Sequence, residues 1–146
     1  MKKQYFGFII LTLFCLSARS GDLNLLYQQD NDRFWEVIRE EEKKFVNCSP
    51  NIYFLFAIET LRNSEVSQWN ADVIEAHAIK APKCVLDSLI SLEGDAMELV
   101  VETFLVRTLY KDVNQIEQSF RREWSDKEYT KVRNIFLVLK EKVYGS

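Results

Sequence analysis

The chain of 146 residues carries 19 lysines and arginines against 22 aspartates and glutamates, which gives a formal net charge of −3. The acids are concentrated, because residues 21–106 hold 16 acids and 7 bases whereas residues 107–146 hold 6 acids and 9 bases. An acidic body argues against general nucleic-acid binding, which needs a concentrated basic surface. With four glycines, at positions 7, 21, 94 and 145, the chain has no glycine-rich phosphate loop.

Residues 1–20 have the layout of a secretory signal peptide, in which a charged start precedes an apolar run and then small residues. The apolar run is about 12 residues long, shorter than the roughly 20 that a membrane-spanning helix needs. Small residues at positions 18 and 20 predict cleavage after Ser20. We therefore expect residues 21–146 to be periplasmic or secreted, without a stable membrane anchor. The loss of three basic residues with the signal leaves 16 bases against 22 acids, a net charge of −6.

The first half of this exported part shows apolar residues at helical spacing and no strand-like alternation. A first helix is predicted from Asp30 to Val46. Ser49 and Pro50 favour a second helix from Pro50 to Arg62, because serine caps a helix start and proline has no N–H to leave unpaired there. This second helix is apolar around most of its circumference, which predicts that it lies at the centre of the core.

The second half contains further helix starts. A third helix is predicted from Val66 to Lys80, and Pro82 opens a fourth that ends at Gly94. Three more starts are indicated by pairs with the three-residue spacing of a capping box. These pairs are Asp95 with Glu98, Asp112 with Gln115, and Ser125 with Glu128.

The helix pattern predicts an all-α fold of about six to seven helices in a single domain, residues 21–146. Helix pairs begin near Pro50, Pro82 and Asp112, at the ~30-residue scale of stacked helix-pair repeats. The architecture is therefore either an irregular helical bundle or a short αα-repeat array of HEAT or tetratricopeptide type. The fixed Trp, Gly, Tyr and Ala positions of the tetratricopeptide signature are not present, so no family is assigned.

The two cysteines outside the signal, Cys48 and Cys84, predict one disulfide, which is the usual state of two thiols in an exported chain. A metal site would need more ligands, and a catalytic thiol would need a histidine close by. The bond would close a loop of about 36 residues and contribute ~3–4 kcal/mol by the chain-entropy model.

The single histidine, His77, lies in the middle of the third helix, and no ligand type stands three or four residues away. We therefore interpret it as structural and dispensable, and we predict no metal and no cofactor. Carboxylate pairs such as Glu36 with Glu40 lie at polar positions, which solvation explains. Because no common catalytic motif is complete, the chain is not expected to be an enzyme.

Trp35 and Trp69 are the candidate binding surface. Trp35 follows Phe34, so the two rings must point in different directions from one helix, and Trp69 follows a polar loop. Exposed tryptophans anchor protein interfaces. The alternative is that both rings fill gaps between helices.

Three functions are compatible with these features. The first is an exported, non-enzymatic protein that binds another protein, for example an immunity-type inhibitor that neutralises a basic secreted toxin. The second is a small hydrolase of envelope polymers that uses converging carboxylates, and the third is a carrier of a lipid or small ligand. A carboxylate pair in a cleft would favour the hydrolase and an apolar tunnel the carrier. The sequence favours no particular oligomeric state.

Overall fold

The computed structural model describes residues 22–145, and the regular structure in that part of the chain is helical throughout. The predicted signal peptide, residues 1–20, lies outside it. The α-helices are α1 (Asp22–Gln29), α2 (Asn31–Val46), α3 (Tyr53–Glu59), α4 (Ser64–Lys80), α5 (Pro82–Ile90), α6 (Ala96–Val100), α7 (Val113–Arg121) and α8 (Thr130–Tyr144). Helix α6 continues directly as a π-helix over Val101–Val106, and a 3₁₀ turn at Lys127–Tyr129 leads into α8. Within residues 22–145, no helix is both long enough and apolar enough to cross a bilayer.

Helices α2 and α7 begin where the sequence predicts, and α4 begins at Ser64, two residues before its predicted start at Val66. Asp30, Asn63 and Asp112 each accept a backbone N–H from the first turn of α2, α4 and α7, respectively. Pro82 opens α5, as predicted. These starts are set locally, because a short polar side chain in front of the helix satisfies an N–H that has no partner within it.

The predicted start at Ser49 and Pro50 is wrong, and α3 begins only at Tyr53. The reason is how α2 ends. The Ser49 N–H is bound to the Lys44 carbonyl at 2.9 Å, and the Cys48 N–H to the Phe45 carbonyl at 3.1 Å. This is a Schellman closure, in which Cys48 takes the left-handed position (φ 58°) that glycine usually occupies. Ser49 therefore finishes α2 instead of starting α3.

Two predicted capping boxes are also wrong. Asp95 precedes α6 but has a helical backbone conformation and makes no capping bond. A cap needs the extended conformation, which lets the side chain fold back onto the free amides. Ser125 is replaced in that role by Asp126, whose extended backbone brings its side chain to the Glu128 N–H at 3.2 Å. Helix α1 has no strong signal of its own and was not predicted.

The helices close into a bundle and not into an extended array. Helix α4 packs on its neighbour α5 and also on α7 and the π-helix, which lie much further along the chain. In a solenoid each helix pair would contact only the next pair. The buried core is built from most of the helices, and its largest fully buried side chains include Phe34, Phe45, Tyr53, Phe104, Phe120, Tyr129 and Phe136.

Helix α3 was predicted to lie at the centre of the core, and the structure corrects this. Tyr53, Phe54 and Ala57 are buried, but the side chain of Leu55 is 42% exposed. The helix lies at the side of the bundle, between α2 and α6. Its apolar outer face was mistaken for a second buried face, because composition alone does not show which neighbours a helix has.

A buried glutamate fixes the connection between the π-helix and α7. The side chain of Glu75 is fully buried in α4. Its carboxylate accepts the backbone N–H groups of Leu109, Tyr110 and Lys111 at 2.7–2.8 Å. Three bonds to a charged acceptor compensate the loss of water around it. Glu75 thereby holds a loop on which Leu109 remains exposed.

Candidate functional site

An open groove, which we call the acidic furrow, lies between α3 and α6. The part of the furrow between these two helices has a volume of about 650 Å³. Apolar side chains and acids share its lining: Leu55, Ile58, Ala96 and Leu99 are apolar, and Glu59, Asp95, Glu98 and Glu102 are acidic. Leu55 and Leu99 are 42% and 38% exposed, so large apolar groups face solvent there.

The furrow continues along the π-helix. A second cavity of about 490 Å³ shares Leu99 and Glu102 with the first and reaches Leu109, whose side chain is 61% exposed. Leu55, Leu99 and Leu109 thus form a row of exposed apolar side chains along one surface. Contiguous apolar surface of this kind, bordered by charge, is typical of interaction sites.

Helical spacing explains how the acids come together. Asp95 precedes α6 directly, and Glu98 and Glu102 follow three and seven residues later, so all three lie on one face. On α3, Leu55 and Glu59 are four residues apart and share a face in the same way. Packing of α3 on α6 places these two faces on either side of the furrow.

The furrow is negatively charged. Arg107 is the basic residue of its lining and donates from Nε to Glu102 at 3.1 Å. Within residues 22–145, no ion pair holds Glu59, Asp95 or Glu98. Burial raises the pKa of Glu59, and the negative charge of Asp22 raises it further. Because like charges close together repel, a cation that enters the furrow lowers the energy of the acids around it.

The predicted binding residues Trp35 and Trp69 lie against each other on a different surface. Their ring centroids are 5.6 Å apart, and the indole N–H of Trp69 donates to Glu42 at 2.9 Å. Trp69 is 40% exposed, whereas Trp35 is packed partly against the core. On α4, Trp69 is two residues from both Ser67 and Ala71, which line the furrow. Two residues correspond to about 200° of helix, so the tryptophans face away from the furrow.

The predicted disulfide between Cys48 and Cys84 is present, with the two Cα atoms 5.3 Å apart. It links the loop after α2 to the first turn of α5. His77 lies beside it: a ring nitrogen of His77 and the two Sγ atoms are all within 4.8 Å of one another. The imidazole is 5% exposed, and its pKa is lowered by burial and by Lys80.

The comparisons with known proteins add no relative. No protein-family model matches the chain, and no curated protein and no solved structure matches it either. The class is therefore defined by the structure itself. It is an all-α, disulfide-linked helical bundle with an acidic furrow on one side.

The sequence did not predict the furrow or the histidine beside the disulfide. The three-residue spacing of Asp95 and Glu98 was interpreted as a cap, although with Glu102 it also marks an acidic face of α6. His77 has no ligand type three or four residues away on its own helix. Its neighbours Cys48 and Cys84 come from other elements, and only the tertiary fold brings them together.

Proposed function

We propose that this protein is an exported, non-enzymatic binding protein whose partner is a basic protein segment. The acidic furrow is the observation that carries the proposal. A helix or loop with an apolar row flanked by lysines and arginines matches its exposed leucines and its uncompensated acids. The apolar row supplies contact area, and the acids select basic partners and steer their approach.

An inhibitor of a basic exported toxin is one function of this class. The acids of the furrow belong to residues 21–106, which contain 16 acidic and 7 basic residues. The electric field of this part of the chain attracts a basic partner at long range. Steering of this kind speeds association and weakens steeply with added salt. A gene for a secreted toxin next to the gene for this chain would support this particular function.

The experiment measures affinity for a defined peptide. The probe is an 18-residue amphipathic peptide with leucines at helical spacing and lysines elsewhere, and the matched control peptide carries glutamates in place of the lysines. We expect binding of the lysine peptide alone. The affinity should fall with ionic strength, because the acids contribute through screened charge.

Variants locate the binding surface. Glu98→Lys reverses one unpaired charge of the furrow and should weaken binding about tenfold, whereas Trp69→Ala should leave it unchanged. The opposite result would move the site to the tryptophans. His77→Gln should bind normally. Equal affinity for both peptides, or no effect of Glu98→Lys, would contradict the proposal.

Hydrolysis of an envelope polymer is the second candidate, and the raised pKa of Glu59 favours it. A carboxyl group with a raised pKa beside other carboxyl groups resembles the pair of a general acid and its partner. Under this hypothesis Glu59→Gln abolishes polymer cleavage. Under the binding hypothesis no cleavage is seen in the unaltered protein, and Glu59→Gln changes only the affinity.

We also propose export with cleavage after Ser20, supported by the order of charged, apolar and small residues in positions 1–20 and by the disulfide. The mature protein should begin at Gly21. Intact-mass measurement of the protein from the cell envelope tests this. A species that retains Met1, or that remains in the cytoplasm, would contradict it.

A further inference from the structure

Three groups that bind soft and borderline metals meet at one point of the bundle. Cys48 comes from the loop after α2, Cys84 from the first turn of α5, and His77 from α4. The two Sγ atoms and a ring nitrogen of the histidine all lie within 4.8 Å of one another. Two thiolates and one imidazole are a known ligand set for zinc, in which a fourth position stays open.

The histidine of this cluster has one unsatisfied ring atom. His77 is 5% exposed, and its Nε2 atom is buried without a hydrogen-bond partner among residues 22–145. Buried polar side-chain atoms almost always have a partner, because an unpaired one has lost its water without compensation. A metal ion bound by Nε2 together with the two sulfur atoms would supply that partner.

The distances fit a zinc ion once the sulfur atoms separate. Zinc lies about 2.3 Å from sulfur and about 2.0–2.1 Å from nitrogen in a tetrahedron, so ligand atoms are roughly 3.5–3.8 Å apart. The two distances from the ring nitrogen to the sulfur atoms are each at most 4.8 Å, so they exceed that separation by no more than about 1.3 Å. Cys48 is exposed and belongs to no helix, so its side chain has room to turn away from Cys84.

We propose that the dithiol form of this protein binds one zinc ion through Cys48, Cys84 and His77. A dithiol reductant supplies two electrons and two protons that cleave the S–S bond, and it is itself oxidised to a disulfide. Zinc then displaces the two thiol protons. The disulfide form lacks thiolates, so disulfide and zinc exclude each other at the same three residues.

A cavity opens beside the two cysteines. It has a volume of about 280 Å³, and polar residues of its lining include Asp87, Ser88 and Ser91. A water molecule or a small polar ligand fits there, as in zinc sites that keep one position open. The site is therefore accessible from solvent in a way that a fully enclosed structural zinc site is not.

The test compares the reduced and the disulfide forms of the purified protein. Each is titrated with Zn²⁺ against a chelating dye and with Co²⁺, whose thiolate charge-transfer absorption reports sulfur ligands. We expect one Zn²⁺ per reduced chain, sulfur-to-cobalt absorption, and a higher melting temperature of the reduced chain with zinc. The disulfide form should show none of these. A reduced chain that binds no zinc, or that unfolds and gains no structure with zinc, overturns the proposal.

Variants separate the three ligands. His77→Asn should weaken zinc binding by more than the ~10–100-fold that loss of an outer-shell group costs. Cys48→Ser should remove about half of the thiolate-to-cobalt absorption, which also tests the ligand set should His77→Asn fail to fold. Ser88→Ala, the matched control in the cavity wall, should bind zinc as the unaltered chain does. Unchanged affinity in His77→Asn, or unchanged absorption in Cys48→Ser, would contradict the assignment.

Discussion

The buried carboxylates have donors within the chain, whereas most carboxylates of the acidic furrow have none among residues 22–145. Inside, Glu75 accepts three backbone amides, and Glu117 is held by Arg121 and Lys140. In the furrow, Glu59 and Glu98 have no ion pair within residues 22–145, although acids stand close to them. The interior acids are matched by donors of this chain. Among residues 22–145, Glu102 of the furrow is paired with Arg107, whereas Glu59, Asp95 and Glu98 have no cation beside them and keep the capacity to bind one.

Helix α3 has one side in the core and another in the furrow. A substitution on its core side gives the largest expected change in the free energy of unfolding. Phe54 is 2% exposed, so Phe54→Ala should cost ~3–5 kcal/mol of unfolding free energy through lost burial and a cavity. Leu55 points into the furrow, and Leu55→Ala should cost about 1 kcal/mol or less. Denaturant unfolding measures both. Equal costs would mean that the furrow side of α3 is as buried as its core side.

The next comparison replaces one acid from each region. Glu75→Ala leaves three amides without their acceptor and should cost about 3 kcal/mol or more, because bonds to a charged group are worth roughly 1.5–3 kcal/mol each. Glu98→Ala, on the exposed rim of the furrow, should change stability by less than about 0.5 kcal/mol. Hydrogen exchange at Leu109 to Lys111 should accelerate in Glu75→Ala alone. Unchanged exchange there would show that the loop does not depend on Glu75.

A smaller effect is expected at Glu117 and depends on pH. Burial alone would raise the pKa of Glu117, but hydrogen bonds from Lys140 and Arg121 outweigh it and hold the pKa below its usual range. A lowered pKa in the folded chain stabilises the fold at pH values above the pKa of the unfolded chain, which is about 4.3 for glutamate. This stabilisation is lost as the pH falls through the pKa of the folded chain. Glu117→Gln should therefore cost about 1–2 kcal/mol at pH 7, and this cost should shrink as the pH falls below about 4. A cost independent of pH would rule out a charge effect.

The smallest expected effect is at Glu59, where a substitution should raise stability and not lower it. The pKa of Glu59 is raised by burial and by Asp22, so the ionised side chain is less favourable in the folded chain than in the unfolded one. Ionised Glu59 therefore lowers the free energy of unfolding most at pH values above its folded pKa. This effect disappears at pH values below its unfolded pKa. Glu59→Gln should leave stability at pH 7 unchanged or raise it by about 0.5 kcal/mol. A clear loss at pH 7 would mean that Glu59 has a cationic partner.

The sequence predicted the features that depend on neighbouring residues. The all-α class, the starts of α2, α5 and α7, and the disulfide between Cys48 and Cys84 are confirmed. Helical spacing, capping side chains and the pairing of the two cysteines outside the predicted signal each need only local chemistry or composition.

The features that were missed depend on packing between distant parts of the chain. The exposed side of α3 and the furrow arise because α6 lies beside it, and nothing in the composition of α3 shows this. The three amides at Glu75 come from residues 34–36 positions away. The cluster around His77 likewise joins three separate elements, so spacing along one helix had no means of revealing it.

The π-helix has a consequence for chain length. Its bonds join residues five apart, and Arg107 binds Glu102 at that spacing through both its backbone N–H, at 2.9 Å, and its side chain. An α-helix would need one residue fewer for the same turn. Deletion of one residue within 101–106 should therefore let this turn close as an α-helix while the residues on either side of it keep their places. The surplus residue widens the turn that carries Glu102, which lines both parts of the furrow, so its removal should change the furrow at that point and leave the rest of the surface as it is.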